Sequence, residues 1–189
     1  MRLSNGKVRK SRRSFNDVGH AHELTFSCFR GFPLLGKDRT RQWFVNALDS
    51  LRRKRRIELW AYVIMPDHAH LLMLPLGTYE MSAILQTFKQ SVSRRAIAYL
   101  RKHSPDWLDK LRAADDVRGP VYHFWQPGGG YDRNIVNAET AWASVAYMHQ
   151  NPVKRGLADC ETDWKWSSAR WYAGHDDVVL EMDDCPPDR

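Results

Sequence analysis

Two apolar segments flank a short polar break within residues 60–75, which read WAYVIMPDHAHLLMLP. Pro66-Asp67 is a turn signal, because proline presets a turn torsion and aspartate bonds to its own nearby backbone. The sequence therefore predicts two neighbouring β-strands joined at this turn. Since residues two apart in a strand point to the same face, His68 and His70 are predicted to lie side by side on the second strand.

Two imidazoles on one face of a strand are placed to bind a metal ion together. A lone His-x-His is more often a pair of polar positions on the solvated face of an ordinary strand, because short motifs match frequently by chance. His68 and His70 alone do not distinguish a metal site from two surface positions. The segment around Tyr147 helps to distinguish them.

The hydrophobic periodicity of the chain alternates between strand and helix. A period of two predicts strands over residues 22–29, 57–65, 68–74 and 121–125. A helical period predicts helices over residues 38–55, 81–103 and 138–150. Residues 106–120 are expected to be irregular. This order predicts an α+β fold: a ferredoxin-like βαββαβ palm, with an antiparallel sheet and helices on one face, followed by a C-terminal helix that carries Tyr147.

Charge divides the chain into a basic and flexible segment (residues 1–19), one folded domain (residues 20–172) and an acidic tail (residues 173–189). The net charge is +7 and the pI is near 9.5. Because Lys and Arg neutralise phosphates and release counterions, this surplus predicts a polyanionic partner. An unbroken basic run is expected to lie near the two histidines, and its candidate contacts to the phosphates of that partner are Arg52, Arg53, Arg55 and Arg56.

Cysteine usage indicates the compartment. Cys28, Cys160 and Cys185 are scattered without Cys-x-x-Cys spacing, which favours neither a disulfide framework nor a zinc ribbon. They fit the reducing cytoplasm. No apolar run is long enough to cross a bilayer and no signal peptide is recognisable, so we expect a cytoplasmic, nucleoid-associated protein with no membrane partner.

The last predicted helix carries Tyr147, and the segment AYMHQNPVKRGL contains its predicted end. Pro152 is expected to stop this helix, because a residue before proline avoids the helical region. Tyr147 and Asn151 are one helical turn apart and share a face. Tyr147 could equally be a core aromatic and Asn151 a plain helix stop, and the spacing alone does not decide.

The segments PDHAHLLM, WQPGGGYDR, AYMHQNPVKRGL and WKWSS together resemble the IS200-like single-tyrosine transposases of the HUH superfamily. Within that group they are most similar to the REP-associated tyrosine transposases. Two departures are visible: Ala69 stands where a bulkier apolar residue is usual, and Asn151 stands where the insertion-sequence branch has glutamine.

The resemblance implies that His68, His70 and Asn151 bind a divalent ion, Mg²⁺ or Mn²⁺, and that Tyr147 is the nucleophile. It implies single-stranded DNA beside a hairpin or palindromic repeat as the partner, cut through a 5′-phosphotyrosine intermediate. A free phenol has a pKa near 10, so the tyrosine would need electrostatic help at neutral pH. The resemblance leaves a monomer and a homodimer open.

Other residues have competing interpretations. Tyr131 is a rival nucleophile, although a packed aromatic in a strand is the stronger interpretation. Arg133 and Lys154 are candidate phosphate contacts that surface ion pairs would explain nearly as well. Trp125 and Gln126 could contact a base, with core packing equally probable for Trp125. At the level of function, the alternatives are a regulator that binds nucleic acid without cutting it, and a nuclease that activates water.

Overall fold

The computed structural model of this chain describes residues 16–117 and 119–183. Most of the basic N-terminal segment and the end of the acidic tail lie outside the described residues, as do the side chains of Arg55 and of residues 114–116. The strands are β1 (Ala21–Ser27), β2 (Ile57–Ile64), β3 (His68–Pro75), β4 (Arg112–Asp116), β5 (Gly119–Tyr122) and β6 (Tyr131–Ile135). The helices are α1 (Asp38–Arg55), α2 (Met81–His103), α3 (Pro105–Lys110), α4 (Ala138–Lys154) and α5 (Ala169–Tyr172). The predicted bounds of α1 and α2 are confirmed.

The central sheet has the strand order β2-β3-β1-β6, and every neighbouring pair is antiparallel. The α+β class and the ferredoxin-like order are confirmed, with β6 in the place of the fourth palm strand. The prediction of that strand at residues 121–125 is wrong. Residues 119–122 instead pair with residues 112–116 in a separate hairpin, so residues 106–120 are also not irregular as expected.

Gly130 explains why the fourth strand begins at Tyr131. Its φ is +78°, a conformation that other residues rarely adopt. A Cβ at this position would collide with the backbone oxygen of Thr25. The glycine therefore lets the chain approach β1 closely enough for Tyr131 to pair with Thr25.

The two faces of the sheet are covered differently. Helices α1 and α2 pack on one face against the larger cluster of buried apolar residues, which includes Leu24, Phe26 and Cys28. Helix α4 packs on the other face through Val145 and Met148. That face is thus covered by α4 toward β2 and β3.

Helix α4 runs four residues further than predicted. Asn137 caps its start, since its side-chain oxygen accepts a hydrogen bond from the Thr140 backbone N–H at 2.8 Å. Pro152 lies inside the helix instead of ending it. The proline removes one backbone donor, but the Arg155 N–H still donates to the Asn151 carbonyl at 3.1 Å. The added turn ends at Lys154, and Arg155 follows as the C-cap, about two helical turns after Tyr147.

The C-terminal segment protects the free edge of β2. The Ile64 N–H donates to the Trp166 carbonyl at 2.9 Å, and Val63 and Ser167 form a β-bridge. The indole of Trp164 donates to the Ile64 carbonyl at 3.0 Å. These contacts occupy the edge of β2, which is therefore closed to pairing with another chain.

A buried histidine on α4 fastens this helix to the sheet. His149 Nε2 lies 2.9 Å from the Ser168 hydroxyl, which in turn donates to the Tyr62 carbonyl of β2 at 3.2 Å. Desolvation lowers the pKa of His149 from its ordinary value of 6.5 to about 4. The imidazole is therefore neutral in the folded protein at neutral pH.

The low pKa of His149 makes stability depend on pH. Between pH 6.5 and pH 4 the unfolded chain binds a proton at this position and the folded chain does not, so the free energy of unfolding should fall as pH falls. The contribution of His149 is about 3 kcal/mol over this window. Urea unfolding of the wild type and His149→Gln, both in EDTA, measures it. Equal pH dependence of the two proteins would contradict the assignment.

None of the helices within residues 16–117 and 119–183 has the length and hydropathy to span a bilayer.

Candidate active site

His68 and His70 lie together at the beginning of β3, on the face that α4 covers in part. Both side chains are buried, and their ring centroids are 4.9 Å apart in an edge-to-face arrangement. His68 Nδ1 lies 2.7 Å from Asp67 Oδ1, and His70 Nδ1 lies 2.8 Å from the Thr25 hydroxyl. In each ring one nitrogen is thus occupied by a neighbour that fixes its orientation, an arrangement typical of metal-binding histidines.

The second nitrogen of His70 has an unusual environment. His70 Nε2 is buried and has no hydrogen-bond partner among the described residues. Desolvation by burial, with smaller contributions from His68 and Arg155, lowers the pKa of His70 to about 4. The neutral ring keeps a lone pair on one nitrogen, and the tautomer in which Nδ1 donates to the Thr25 hydroxyl leaves that lone pair on Nε2. A buried acceptor without a donor is costly unless something binds it, so this atom fits a metal ion.

Tyr147 stands over the histidine pair in the same chain. Its ring centroid is 5.7 Å from that of His70, edge to face, and the residue is 48% exposed. On a different face of α4 from Tyr147, His149 anchors the helix to β2 through Ser168. An aromatic residue that packed only for stability would be more deeply covered.

Asn151 follows Tyr147 by one helical turn and is only 8% exposed. Its Nδ2 donates to the Tyr147 carbonyl at 3.3 Å. With the amide group turned this way, Oδ1 is the atom left to accept or coordinate.

Two cations border the tyrosine and the histidines. Lys154 Nζ lies 5.7 Å from the centroid of the Tyr147 ring, and its side chain is exposed. Arg155 Nη1 lies 3.8 Å from Asp67 Oδ2, longer than a hydrogen bond, with its side chain about half exposed. Positive charge is therefore concentrated where a phosphate would approach Tyr147.

Sequence reasoning missed three members of this site. Asp67 stands directly before His68 and was visible only as a turn residue. Arg155 was hidden by the predicted helix stop at residue 151. Thr25 is placed opposite His70 by the register of β1 and β3, a pairing that no local pattern shows.

Arg133 lies on β6, on the same face as α4, and is already paired. Its guanidinium contacts the Glu23 carboxylate and lies 3.1 Å from the Ser144 hydroxyl. Glu23 is buried, so this ion pair joins β1 and β6 to α4. The ion-pair interpretation is confirmed, and a DNA contact for the exposed part of Arg133 stays a prediction.

Trp125 is a core residue. It is buried, packs edge to face on Phe26 with centroids 5.1 Å apart, and donates its indole N–H to the Lys89 carbonyl at 3.0 Å. The core-packing interpretation of Trp125 is confirmed, and stacking of its indole on a base stays a prediction. Gln126 is exposed and accepts a hydrogen bond from the Arg30 N–H at 3.2 Å, so its contact to DNA stays a prediction.

The basic run lies far from the histidines, contrary to expectation. It precedes β2, whose first residue, Ile57, pairs with Pro75 at the end of β3. His68 is the first residue of β3, so the length of that strand, roughly 20 Å, separates the two.

Two members of the run also have partners within the chain. Arg52 pairs with Asp183 and donates to the Glu181 carbonyl at 2.7 Å, while Arg53 pairs with Asp49. Arg56 is exposed and adopts a left-handed backbone conformation with φ +51°. DNA contacts by Arg52, Arg53 and Arg56 stay predictions, but these residues cannot share a phosphate with Tyr147.

Known proteins resemble this chain in sequence and in fold. Residues 33–151 match the family model of IS200-like transposases. A Haemophilus influenzae protein named as a REP-associated tyrosine transposase is 25% identical over 159 residues, which cover 80% of this chain and 82% of the relative. A solved structure described as a REP-associated tyrosine transposase bound to a REP hairpin has a TM-score of 0.68 at 22% identity, covering 94% of each chain. The resemblance expected from the motifs is confirmed.

Proposed function

Since this chain belongs to the IS200-like transposase family, we propose that it cuts and rejoins single-stranded DNA beside hairpin or palindromic repeats, with Tyr147 as the nucleophile. One observation carries the proposal: an exposed tyrosine lies beside a histidine whose buried Nε2 has no hydrogen-bond partner in the part of the chain that the structure describes. The phenol is open to a bulky phosphodiester, and the site next to it is built to bind a cation.

The proposed reaction exchanges one phosphodiester for another. The Tyr147 hydroxyl oxygen attacks phosphorus and loses its proton, while the bond from phosphorus to the 3′ oxygen of the upstream nucleotide breaks. The 3′ oxygen takes up a proton and leaves as a free hydroxyl, and the downstream strand stays on the protein as a 5′-phosphotyrosine. Attack by a 3′-hydroxyl reverses these steps and joins strands. Because bond energy is retained, no nucleotide triphosphate is needed.

The positive side chains would bind the phosphate that Tyr147 attacks. Lys154 is close to the tyrosine ring, and Arg155 is close enough to the histidine pair to lower the pKa of His70. Charge-assisted bonds from such groups stabilise the extra negative charge that develops as the phosphate is attacked. Asp67 orients both His68 and Arg155, so it is proposed as a positioning residue.

A divalent ion, Mg²⁺ or Mn²⁺, is proposed as the cofactor, held by the Nε2 atoms of His68 and His70 and by Asn151 Oδ1. When bound, such an ion polarises the phosphate oxygens. Nitrogen ligands suit Mn²⁺ better than Mg²⁺. Within residues 16–117 and 119–183, no three His, Cys, Asp or Glu side chains could hold a metal together. Coordination would therefore depend on the carboxamide of Asn151 and on oxygens of the DNA or water.

We propose that one chain contains a complete site. Tyr147 is seated against His70 by its own α4, and α4 is tied to its own β2 through His149 and Ser168. Exchange of the tyrosine helix with a second copy is then unnecessary, and a monomer should be active.

Hairpin-forming DNA is proposed as the substrate because the solved relative is described as bound to a REP hairpin. The net charge of +7 supports a polyanionic ligand. The experiment uses single-stranded DNA with a hairpin and a flanking unpaired tail, labelled at either end in separate reactions and incubated with Mn²⁺. After denaturation in detergent, the label downstream of the cut should remain on the protein, and the upstream label should be released.

The other outcomes of this experiment identify other functions. Release of both labelled products without any adduct would indicate a nuclease that activates water. Binding without cleavage in Mn²⁺ and in Mg²⁺ would indicate a regulator that has lost catalysis. Attachment of the upstream label instead would mean a 3′-phosphotyrosine and would contradict the proposed polarity.

A further inference from the structure

A groove lies on the α1–α2 side of the sheet, away from Tyr147. It is enclosed by the beginning of α1, the end of α2, the short helix α3 and the loop before α1, and it has a volume of about 490 Å³. We call it the Trp107 groove, lined by Lys37, Arg39, Trp43, Tyr99, Trp107 and Phe124 among others. Its volume falls within the range of roughly 300–1,000 Å³ typical of ligand sites.

Trp107 is the one exposed tryptophan of the eight in the chain, with 39% of its surface accessible. Its neighbour Leu108 is buried and docks α3 on the protein, so Trp107 is not required for that docking. The edge-to-face contact with Phe32, at 5.9 Å between centroids, sets the orientation of the indole. A large aromatic surface held in place and left open is suited to stacking.

Lys37 and Arg39 line the same groove, and Lys110 lies beside it over the ring of Trp107. The Arg39 guanidinium lies 3.7 Å from the centroid of Tyr99, and Lys110 Nζ lies 4.4 Å from that of Trp107. Lys37 is exposed at the start of α1. Among the described residues, none of these three cations forms an ion pair with Asp or Glu. Open aromatic surface beside unneutralised cations suits a ligand with planar rings and negative charges, which is the chemistry of an unpaired nucleotide.

The groove adjoins the active site through one loop. Residues 33–37 form its wall, and the Leu35 N–H donates to the Pro66 carbonyl at 2.9 Å. The Cys28 N–H donates to the carbonyl of Asp67 at 2.7 Å, and the Asp67 side chain holds His68. A strand that crosses the Pro66-Asp67 turn therefore passes from the histidine pair to the Trp107 groove.

From these contacts we propose that the Trp107 groove binds an unpaired nucleotide of the strand that flanks the cleaved phosphate. The base stacks on Trp107, and Arg39, Lys37 and Lys110 neutralise its phosphates. The choice of single-stranded DNA as ligand rests on the proposed function. The groove would add affinity for the unpaired tail of a hairpin substrate and would leave a blunt duplex unaffected.

The test measures binding in the Tyr147→Phe protein, so that chemistry does not intervene. The probe is oligo(dT) with 2-aminopurine at successive positions, and a blunt duplex is the comparison. Trp107→Ala should weaken binding of the single strand by about 10- to 100-fold and remove stacking quench at one position. Trp107→Phe should retain most of both. Arg39→Gln should lower affinity and reduce the salt dependence by about one counterion.

Val136→Ala is the matched control, because Val136 is exposed at the opposite end of the sheet, after β6. Binding by Trp107→Ala equal to that of Val136→Ala would overturn the proposal, as would equal losses for single strand and duplex. If circular dichroism shows that Trp107→Ala does not fold, the test rests on Arg39→Gln. Unchanged affinity for the single strand and an unchanged salt dependence in that variant would overturn the proposal.

The covalent adduct separates this proposal from the proposed function. If the wild type forms the adduct and Trp107→Ala binds the single strand as tightly as the wild type, the groove proposal is wrong and the proposed function stands. If no adduct forms but 2-aminopurine quenching requires Trp107, the proposed function is wrong and the groove still binds single-stranded DNA.

Discussion

Replacement of Tyr147 by phenylalanine should abolish the covalent protein–DNA adduct and leave DNA binding and folding essentially intact. The substitution removes one oxygen and keeps the ring, so the edge contact to His70 and the contact with Lys154 persist. Removal of a nucleophile in covalent enzymes lowers the rate by about 10⁴-fold or more, and the same loss is expected here. The measurement is the rate of adduct formation on hairpin DNA in Mn²⁺, with affinity measured separately.

Tyr131→Phe is the matched control for this experiment. Tyr131 pairs with Thr25 in the sheet, and Thr25 pairs with His70, so both tyrosines lie on the face of the histidines. Tyr131 is nevertheless fixed in a strand, whereas Tyr147 is exposed on a helix. Adduct formation should therefore survive in Tyr131→Phe. If the adduct is lost in Tyr131→Phe and retained in Tyr147→Phe, Tyr131 is the nucleophile and the assignment of Tyr147 is wrong.

The parts of the fold that were predictable from sequence are those governed by local periodicity. The bounds of α1 and α2 follow from helical spacing, and the shared face of His68 and His70 follows from the period of a strand. Tyr147 could be placed on the last helix for the same reason. What no local pattern contains is the distance between that helix and β3.

The failures have physical causes that act over longer range. The fourth strand was misplaced because residues 119–122 pair with residues 112–116, and pairing partners are not encoded in alternation. The end of α4 was misplaced because a proline near the last turn removes only one hydrogen bond. The basic run was misplaced because its charge does not indicate at which end of the β2–β3 hairpin it lies, and the histidines are at the other end.

The candidate site shows the same division. Its four central residues could be named from motifs that resemble a family, but their supports could not. Thr25 reaches His70 only through the register of β1 and β3, and Arg155 approaches Asp67 only because α4 continues past Pro152. These supports determine which imidazole nitrogen is free, which is the property a metal site depends on.

Replacement of His70 by alanine should remove metal dependence from both stability and activity. In the wild type, Mn²⁺ should raise the midpoint of thermal unfolding, because an ion that binds only the folded state stabilises it by mass action. His70→Ala should show no such rise and should form the adduct on the order of 10³-fold more slowly. EDTA should impose the same loss on the wild type, and added Mn²⁺ should reverse it. His175→Ala is the control, because His175 is partly exposed beside Asp177.

The stability of the metal-free proteins distinguishes a ligand from a structural histidine. In the absence of metal, His70 Nε2 is a buried acceptor without a partner among the described residues, and such an atom costs about 1–3 kcal/mol. Alanine removes this cost together with the hydrogen bond to Thr25, which is worth about 1 kcal/mol. The relieved cost offsets only part of the hydrogen bond and the packing lost with the ring, so metal-free His70→Ala should lose less stability in EDTA than removal of a fully paired buried histidine would cost. A structural histidine would instead destabilise the metal-free protein by that full cost on removal and leave the effect of Mn²⁺ unchanged, and that result would refute the metal assignment.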